Sequence, residues 1–413
     1  GTTGAPRVAA HTHANQLACG RGIAESNSLA PGEAMLGGLP LFHVNAMIVT
    51  GIAPMFGGAR VVWPGPAGYR DKTLYTRFWT IVEHYQIAAM SAVPTVYGTL
   101  AQVPVDADIS TLRLPIVGAS PLPASVREAF AAHTGRRLLE GYGLTEATCA
   151  STWTRPDEEQ PGSVGRALPG QQLKAVRIGD DGEWTDCVPG QTGVLAIGGP
   201  AVFAGYVTDP RLGGPRVSQD GAVRNGWLNT GDLGSVDADG FVYLAGRAKD
   251  LIIRGGHNID PRTIEEALLR HPAIHAAAAV GRPDRHSGEV PVAYVVPAGP
   301  GPFDEAELLA WASTAIGEPA ARPKRIYPVD AIPVTAVGKH FKPALAADAA
   351  VRVVTEALAA AGLPDARTSA SHEDGRLVVT VTGADPGRVR DAVAGFALTI
   401  RTGLSPAAQS AAN

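Results

Sequence analysis

Gly141-Tyr142-Gly143-Leu144-Thr145-Glu146 sets an aromatic ring, two glycines, a hydroxyl and a carboxylate directly behind an apolar run, where a parallel strand is expected to end. Two readings fit those residues. In the first, Tyr142 stacks on a base, Thr145 bonds a phosphate and Glu146 holds Mg²⁺, a hard cation that prefers oxygen ligands. In the second, the stretch is an ordinary strand-to-helix turn with Thr145 or Glu146 as the cap.

The residues upstream decide the fold class. Leu74, Phe78, Ile81, Val82 and Tyr85 fall at helical spacing behind Asp71, a candidate N-cap, so one amphipathic helix is expected over 71–85. The apolar run Ile87 to Val93 stops at Pro94 and reads as a buried strand feeding a helix. The same alternation recurs in Leu114 to Val117 and the helical stretch Ala124 to His133. Strands alternating with helices at this spacing predict a helix-covered, mostly parallel sheet. Ligands of such sheets bind at the loops leaving the carboxyl ends of the strands.

Between Gly165 and Gly246 the texture changes to short β-rich pieces, with Leu173 to Ile178, Val194 to Ile197 and a hairpin around Asp239-Gly240. A third texture follows. It has Leu251 to Ile253 as a strand, a helix starting at Asp260-Pro261, a strand over Pro291 to Val296, and a helix behind Asp304 and Glu307 that should end near Gly317. The expected fold is therefore α/β. Residues 1–245 form a large domain with a β-rich subdomain, residues 246–345 a smaller α+β domain, and residues 346–413 a helical and α+β extension.

At 413 residues the chain is longer than one core usually spans. Its 35 basic and 39 acidic side chains leave a formal charge of −4, which argues against a nucleic-acid or anionic-membrane partner. Cys19, Cys149 and Cys187 lie far apart with no metal or disulfide spacing. With no long apolar run and no signal-peptide pattern, a cytoplasmic location is expected.

Other stretches carry possible chemistry. Gly1-Thr2-Thr3-Gly4-Ala5-Pro6-Arg7 has the glycines and hydroxyls of a phosphate-gripping loop without Walker spacing, and an ordinary turn fits it equally well. Asp232, in Gly226-Trp227-Leu228-Asn229-Thr230-Gly231-Asp232, can accept hydrogen bonds from two ribose hydroxyls or simply be a solvated turn. His11 and His13 lack the further ligands of a metal site. Gly118-Ala119-Ser120-Pro121-Leu122 lacks the last glycine of a nucleophile elbow, which argues against a hydrolase.

Taken in order, Gly141 to Glu146, Gly226 to Asp232, Gly246-Arg247-Ala248-Lys249-Asp250 and Gly255-Gly256-His257-Asn258-Ile259-Asp260-Pro261 resemble the acyl- and aryl-CoA synthetases of the adenylate-forming superfamily. Leu39-Pro40-Leu41-Phe42-His43, Gly162 to Arg166 and Ile332 to Lys339 belong to the same pattern, so the resemblance covers roughly residues 1 to 345.

The resemblance implies ATP-dependent activation of a fatty, branched or aromatic carboxylic acid to an acyl-adenylate, then transfer to CoA. It implies that Thr2, Thr3, Gly4 and Thr145 contact phosphate, that Glu146 coordinates Mg²⁺, and that Tyr142 stacks on adenine beside Gly118, Ala119, Ser120, Gly141 and Gly143. Asp232 and Arg247 would hold the ribose, Lys249 the hinge, and Lys339 would be the lysine reaching the adenylation site. His43, with Gly118 and Gly143, would border the acyl pocket.

Two departures stand out. Arg7 takes the place of the family's lysine after proline, and the first part of the large domain is expected to be missing before Gly1. A carrier protein loaded in trans, or a nucleotide-binding fragment without turnover, are the alternatives to a CoA ligase.

Overall fold

A computed structural model describes residues 7–158, 160–179, 181–209, 216–219, 221–247, 250–299, 301–335, 340–373 and 376–403. They fall into two compact units, one of residues 7–247 and one of residues 250–403.

The first unit is built on a seven-stranded sheet. Strands Arg60–Val62, Ala34–Gly37, Ile87–Ala92, Leu114–Val117 and Leu139–Tyr142 lie side by side in that order, all parallel. Thr152–Trp153 and Arg166–Ala167 extend it in antiparallel fashion. Ile87–Ala92 is buried at every residue, which is why it reads as an apolar run, interrupted only by Ser91, rather than an alternation.

Helices Pro94–Leu100 and Ala124–Thr134 cover one face, where the Tyr97 and Phe130 rings meet edge to face at 5.1 Å. Helix His13–Asn27 lies on the other, its Cys19 and Ile23 packed with Met35, Ala89 and Ile116. Its apolar pattern is faint, and its start is set instead by a capping box between Thr12 and Asn15. The helix also needs close approach, since a Cβ on Gly20 would stand 2.7 Å from Ile52 Cγ2.

The single helix expected over 71–85 is two helices, Lys72–Tyr75 and Phe78–His84. Asp71 caps the first by accepting from Thr73 N–H. The Thr76 hydroxyl then donates back to the Thr73 carbonyl and Arg77 leaves helical geometry at φ −133°, ψ 18°. A local side-chain bond of this type competes with helix continuation.

A β-rich sheet follows in the order Trp184–Asp186, Gln172–Ile178, Gly193–Gly198, Trp227–Val236, Val223–Arg224, and Val242–Arg247 also pairs with Trp227–Val236. The turn of that last hairpin is held by Asp237, whose carboxylate accepts from the Asp239 and Phe241 amides, with Gly240 at φ +83°. A small antiparallel sheet joins Ala9–Ala10, Gly205–Asp209 and Arg216–Ser218.

In the second unit, His257–Ile259, Ile252–Arg254, Gly288–Pro297 and Ile274–Asp284 form a sheet to which Ile326–Pro328 adds in parallel. Helices Pro261–Leu269 and Glu305–Ala315 start on the Asp260 and Asp304 caps. Helix Lys342–Ala360 serves two cores. Leu345 and Ala349 pack with Ala278, Val280, Val292 and Tyr294, while Val353, Val354 and Leu358 pack with Val379, Val381 and Val389. The last group belongs to a small sheet of Arg367–Glu373, Arg376–Thr382 and Thr399–Gly403, crossed by helix Pro386–Val393. Among the described residues no helix is long and apolar enough to cross a membrane.

Candidate functional site

Two parallel strands deliver the site. Leu114–Val117 ends in Gly118-Ala119-Ser120, where Ala119 takes φ +71°, a left-handed conformation that an L-residue adopts only under strain. Leu139–Tyr142 ends in Gly143, and only glycine fits there, because an added Cβ would stand 1.9 Å from the Cys149 carbonyl oxygen and 2.7 Å from Ala150 Cα.

Thr145–Ala147 forms one turn of 3₁₀ helix behind Leu144, with no side-chain cap. The capping reading of Thr145 and Glu146 is therefore not realised, and both side chains are left for other contacts. The two strand ends open on a cleft. His43, Gly118, Ala119, Gly141, Tyr142, Gly143 and Thr145 line it, together with Asn45, Cys149 and Trp153. Ser120 follows these residues in sequence without lining the cleft.

Tyr142 ties this cleft to the β-rich sheet. Its hydroxyl donates to Asp232 Oδ2 at 2.6 Å, and Arg247 Nε donates to Asp232 Oδ1 at 2.9 Å. Asp232 and Arg247 are directly opposed on the hairpin strands, so the sheet register makes their pairing. The Asp232 amide is held in turn by the Thr230 hydroxyl at 3.1 Å. Burial pushes the Tyr142 phenol far above its ordinary value, and the Asp232 charge pushes it further the same way. Tyr142 is therefore a neutral donor, while Arg247 supplies the positive charge that a buried carboxylate needs.

Glu146 lies in a second cluster. Tyr206 donates its hydroxyl to Glu146 Oε1 at 2.6 Å, and the Arg7 guanidinium sits 3.4 Å from the Tyr206 ring centroid. His11 Nε2 is 2.7 Å from the Thr145 carbonyl. The strand Ala9–Ala10 that follows the glycine- and threonine-rich segment pairs Ala9 with Tyr206.

Among the described residues no cluster of three or more His, Cys, Asp or Glu side chains could form a metal cage. Glu146 offers a single carboxylate, which could hold a Mg²⁺ ion whose other ligands come from substrate phosphates and water.

At the far wall, His43 Nδ1 accepts from the Asn45 amide at 3.2 Å. Asn45 begins a π-helix, Asn45–Ile52, and its Oδ1 accepts from the buried Ser91 hydroxyl at 2.9 Å.

The structure thus brings together His43, Gly118, Ala119, Gly141, Tyr142, Gly143 and Thr145, and links Tyr142 to Asp232 and Arg247. Thr2, Thr3, Gly4, Lys249 and Lys339 lie outside the described residues. Sequence reasoning missed Tyr206, Asn45 and Trp153, and read His11 only as half of an incomplete metal pair. Only Asn45, two residues after His43, stood near a recognised motif; the others reach the site through sheet pairing that no local pattern encodes.

Residues 1–207 match the AMP-binding enzyme family, and residues 263–339 match the AMP-binding enzyme C-terminal domain. The chain belongs to the AMP-binding enzymes.

This AMP-binding enzyme is 41% identical over 368 residues to the marinolic acid–CoA ligase of a Pseudoalteromonas species, covering 87% of this chain and 55% of that protein. It is 37% identical to the sulfoacetate–CoA ligase of Cupriavidus necator, covering 75% of this chain and 58% of the relative. The chain therefore spans little more than half the length of these two relatives. Among solved structures, ATP-bound MatB from Rhodopseudomonas palustris superposes with a TM-score of 0.74 at 29% identity, covering 84% of this chain and 66% of the other.

Proposed function

We propose that this AMP-binding enzyme handles the nucleotide in an ATP-dependent acid:CoA ligase, which converts a carboxylic acid first to an acyl-adenylate and then to an acyl-CoA. The observation that carries the proposal is the chain of contacts from the cleft through Tyr142 to Asp232 and Arg247. A planar aromatic ring at the cleft is held by a carboxylate that keeps lone pairs for two ribose hydroxyls. The names of the relatives support the same reaction class.

Each group's part follows from its chemistry. The Tyr142 ring would stack on adenine at the Gly118–Ser120 turn, and Asp232, oriented by Arg247, would accept from the ribose. The acid carboxylate attacks the α-phosphorus, a new P–O bond forms, and pyrophosphate leaves. An anion then approaches an anion, so cationic groups must lie where charge develops.

Lys339 is proposed for that role, with Thr145, Thr2, Thr3 and Gly4 donating to phosphate oxygens. Mg²⁺, held by Glu146, would neutralise phosphate charge when bound. In the second half-reaction the CoA thiol attacks the acyl carbonyl and AMP leaves. A rotation about Lys249 would change the face presented by the residue 250–335 region between the two steps. His43 and the π-helix behind it would border the acyl group.

Acid-dependent exchange of pyrophosphate into ATP over a panel of carboxylic acids, followed by thioester formation with CoA, tests the proposal. Exchange with some acid and a CoA thioester product are expected. Exchange without a CoA product, but with acylation of a carrier protein, would instead support the carrier-loading alternative. No exchange with any acid would sink the enzymatic reading.

A further inference from the structure

Among the described residues Asn45 is the one buried side-chain amide on the cleft wall, and its orientation is fixed from behind. Ser91 is fully buried on the central strand, and the hydrogen-bond network assigns its hydroxyl as donor to Asn45 Oδ1 at 2.9 Å. That turns the NH₂ end of the amide forward, so that a Cβ on Gly118 would stand 3.8 Å from Asn45 Nδ2. Among the described residues no acceptor is bonded to Nδ2. Val44, Val49, Ile116 and Ala150 add apolar side chains to the same cleft, beside polar groups of His43 and Thr145.

The backbone contributes as well. Asn45 opens the π-helix, whose i→i+5 bonding brings residues about four to five apart onto one face and so sets Val44, Asn45 and Val49 on the same wall. π-Helical turns are rare and cluster at functional sites. An amide donor held in this orientation at the cleft, with no protein acceptor among the described residues, is set to bond an acceptor on a ligand.

We propose that Asn45 is a specificity residue whose NH₂ group donates to an oxygen on the acyl tail. The acid taken by this site then carries a keto, ether or hydroxyl oxygen on an otherwise apolar chain. This rests on the ligase reading above.

The test compares decanoic acid with its mono-oxo analogues, the carbonyl walked along the chain, by acid-dependent ATP–pyrophosphate exchange in the full chain. A keto oxygen only accepts, so the comparison reads the amide's donor directly. At least one oxo acid is expected to show a kcat/KM about tenfold or more above that of decanoic acid, as loss of a buried hydrogen bond implies.

Asn45→Leu should erase that preference, bringing the kcat/KM ratio of the oxo acid to decanoic acid down to about one. Ser91→Ala, which frees the amide to rotate, should reduce the preference in part and keeps the test available if Asn45→Leu does not fold. Equal efficiency for all acids in the wild-type chain would overturn the inference and leave the ligase reading intact. So would a loss in Asn45→Leu shared by oxo and unsubstituted acids, which would place the amide on the reacting carboxyl group. Absence of exchange with every acid would overturn both.

Discussion

Replacing Tyr142 by Phe isolates one hydrogen bond at the centre of the nucleotide site. The ring that would stack on adenine is kept, and only the hydroxyl that donates to Asp232 Oδ2 at 2.6 Å is lost. A hydrogen bond to a charged group contributes about 1.5–3 kcal/mol net. The upper half of that range applies here because Asp232 is only 6% exposed, leaving little room for water to replace the phenol. Arg247 still holds the other carboxylate oxygen at 2.9 Å, so the charge is not orphaned.

We therefore expect Tyr142→Phe to lower the unfolding free energy of the 7–247 unit by about 2.5 kcal/mol in urea titrations. AMP should bind more weakly by roughly tenfold, the equivalent of about 1.4 kcal/mol, because Asp232 is no longer held for the ribose. A double-mutant cycle with Asp232→Asn supplies the decisive number, and contacting pairs of this kind couple by about 0.5–3 kcal/mol. A coupling near zero, with Tyr142→Phe as stable as the parent, would refute the claim that the two residues act as a unit.

Other perturbations probe the rest of the site. Tyr206→Phe should raise the Mg²⁺ concentration needed for half-maximal pyrophosphate exchange while leaving metal-free AMP binding unchanged; equal losses in both would make Tyr206 a packing residue only. Gly143→Ala should abolish AMP binding and destabilise the fold, because its Cβ meets backbone at 1.9 Å. Gly162→Ala, at φ +78° with open space around it, should lose only about 1 kcal/mol in urea unfolding. Lys339→Ala should depress pyrophosphate exchange by at least about a hundredfold. Lys342→Ala, which breaks a 2.7 Å pair with Glu265, should act on stability, and equal kinetic effects would show the wrong lysine had been chosen.

The Arg113 guanidinium beside Glu33 holds that carboxyl below its ordinary value of 4.5. A lowered pKa means stability that is present above 4.5 and lost as pH falls through the folded value. Urea midpoints of the parent and Arg113→Gln should therefore differ at neutral pH and converge in acid; a gap constant with pH would refute the assignment.

The parallel sheet was legible because it is buried on both faces. Strands such as Ile87–Ala92 are then predominantly apolar, with Ser91 the polar exception. The strand Arg367–Glu373 was not legible, since Arg-Thr-Ser-Ala-Ser-His-Glu carries no apolar alternation and gains its place only by pairing with Arg376–Thr382. Helix His13–Asn27 escaped for a related reason. Its glycines permit close contact with the neighbouring π-helix rather than projecting an apolar stripe.

The sequence by itself determined the α/β class and the strand end at Val117, because each is written in local composition and spacing, while the strand expected to stop before Gly141 runs on to Tyr142. Tertiary structure decided which residues meet. Tyr142 reaches Asp232, ninety residues on, because the β-rich sheet returns that carboxylate to the strand end. Glu146 receives Tyr206, and Asn45 is turned toward the cleft by Ser91, by the same kind of long-range pairing. Side-chain contacts of this sort depend on register and on close approach at glycine, and neither leaves a periodic trace in the chain.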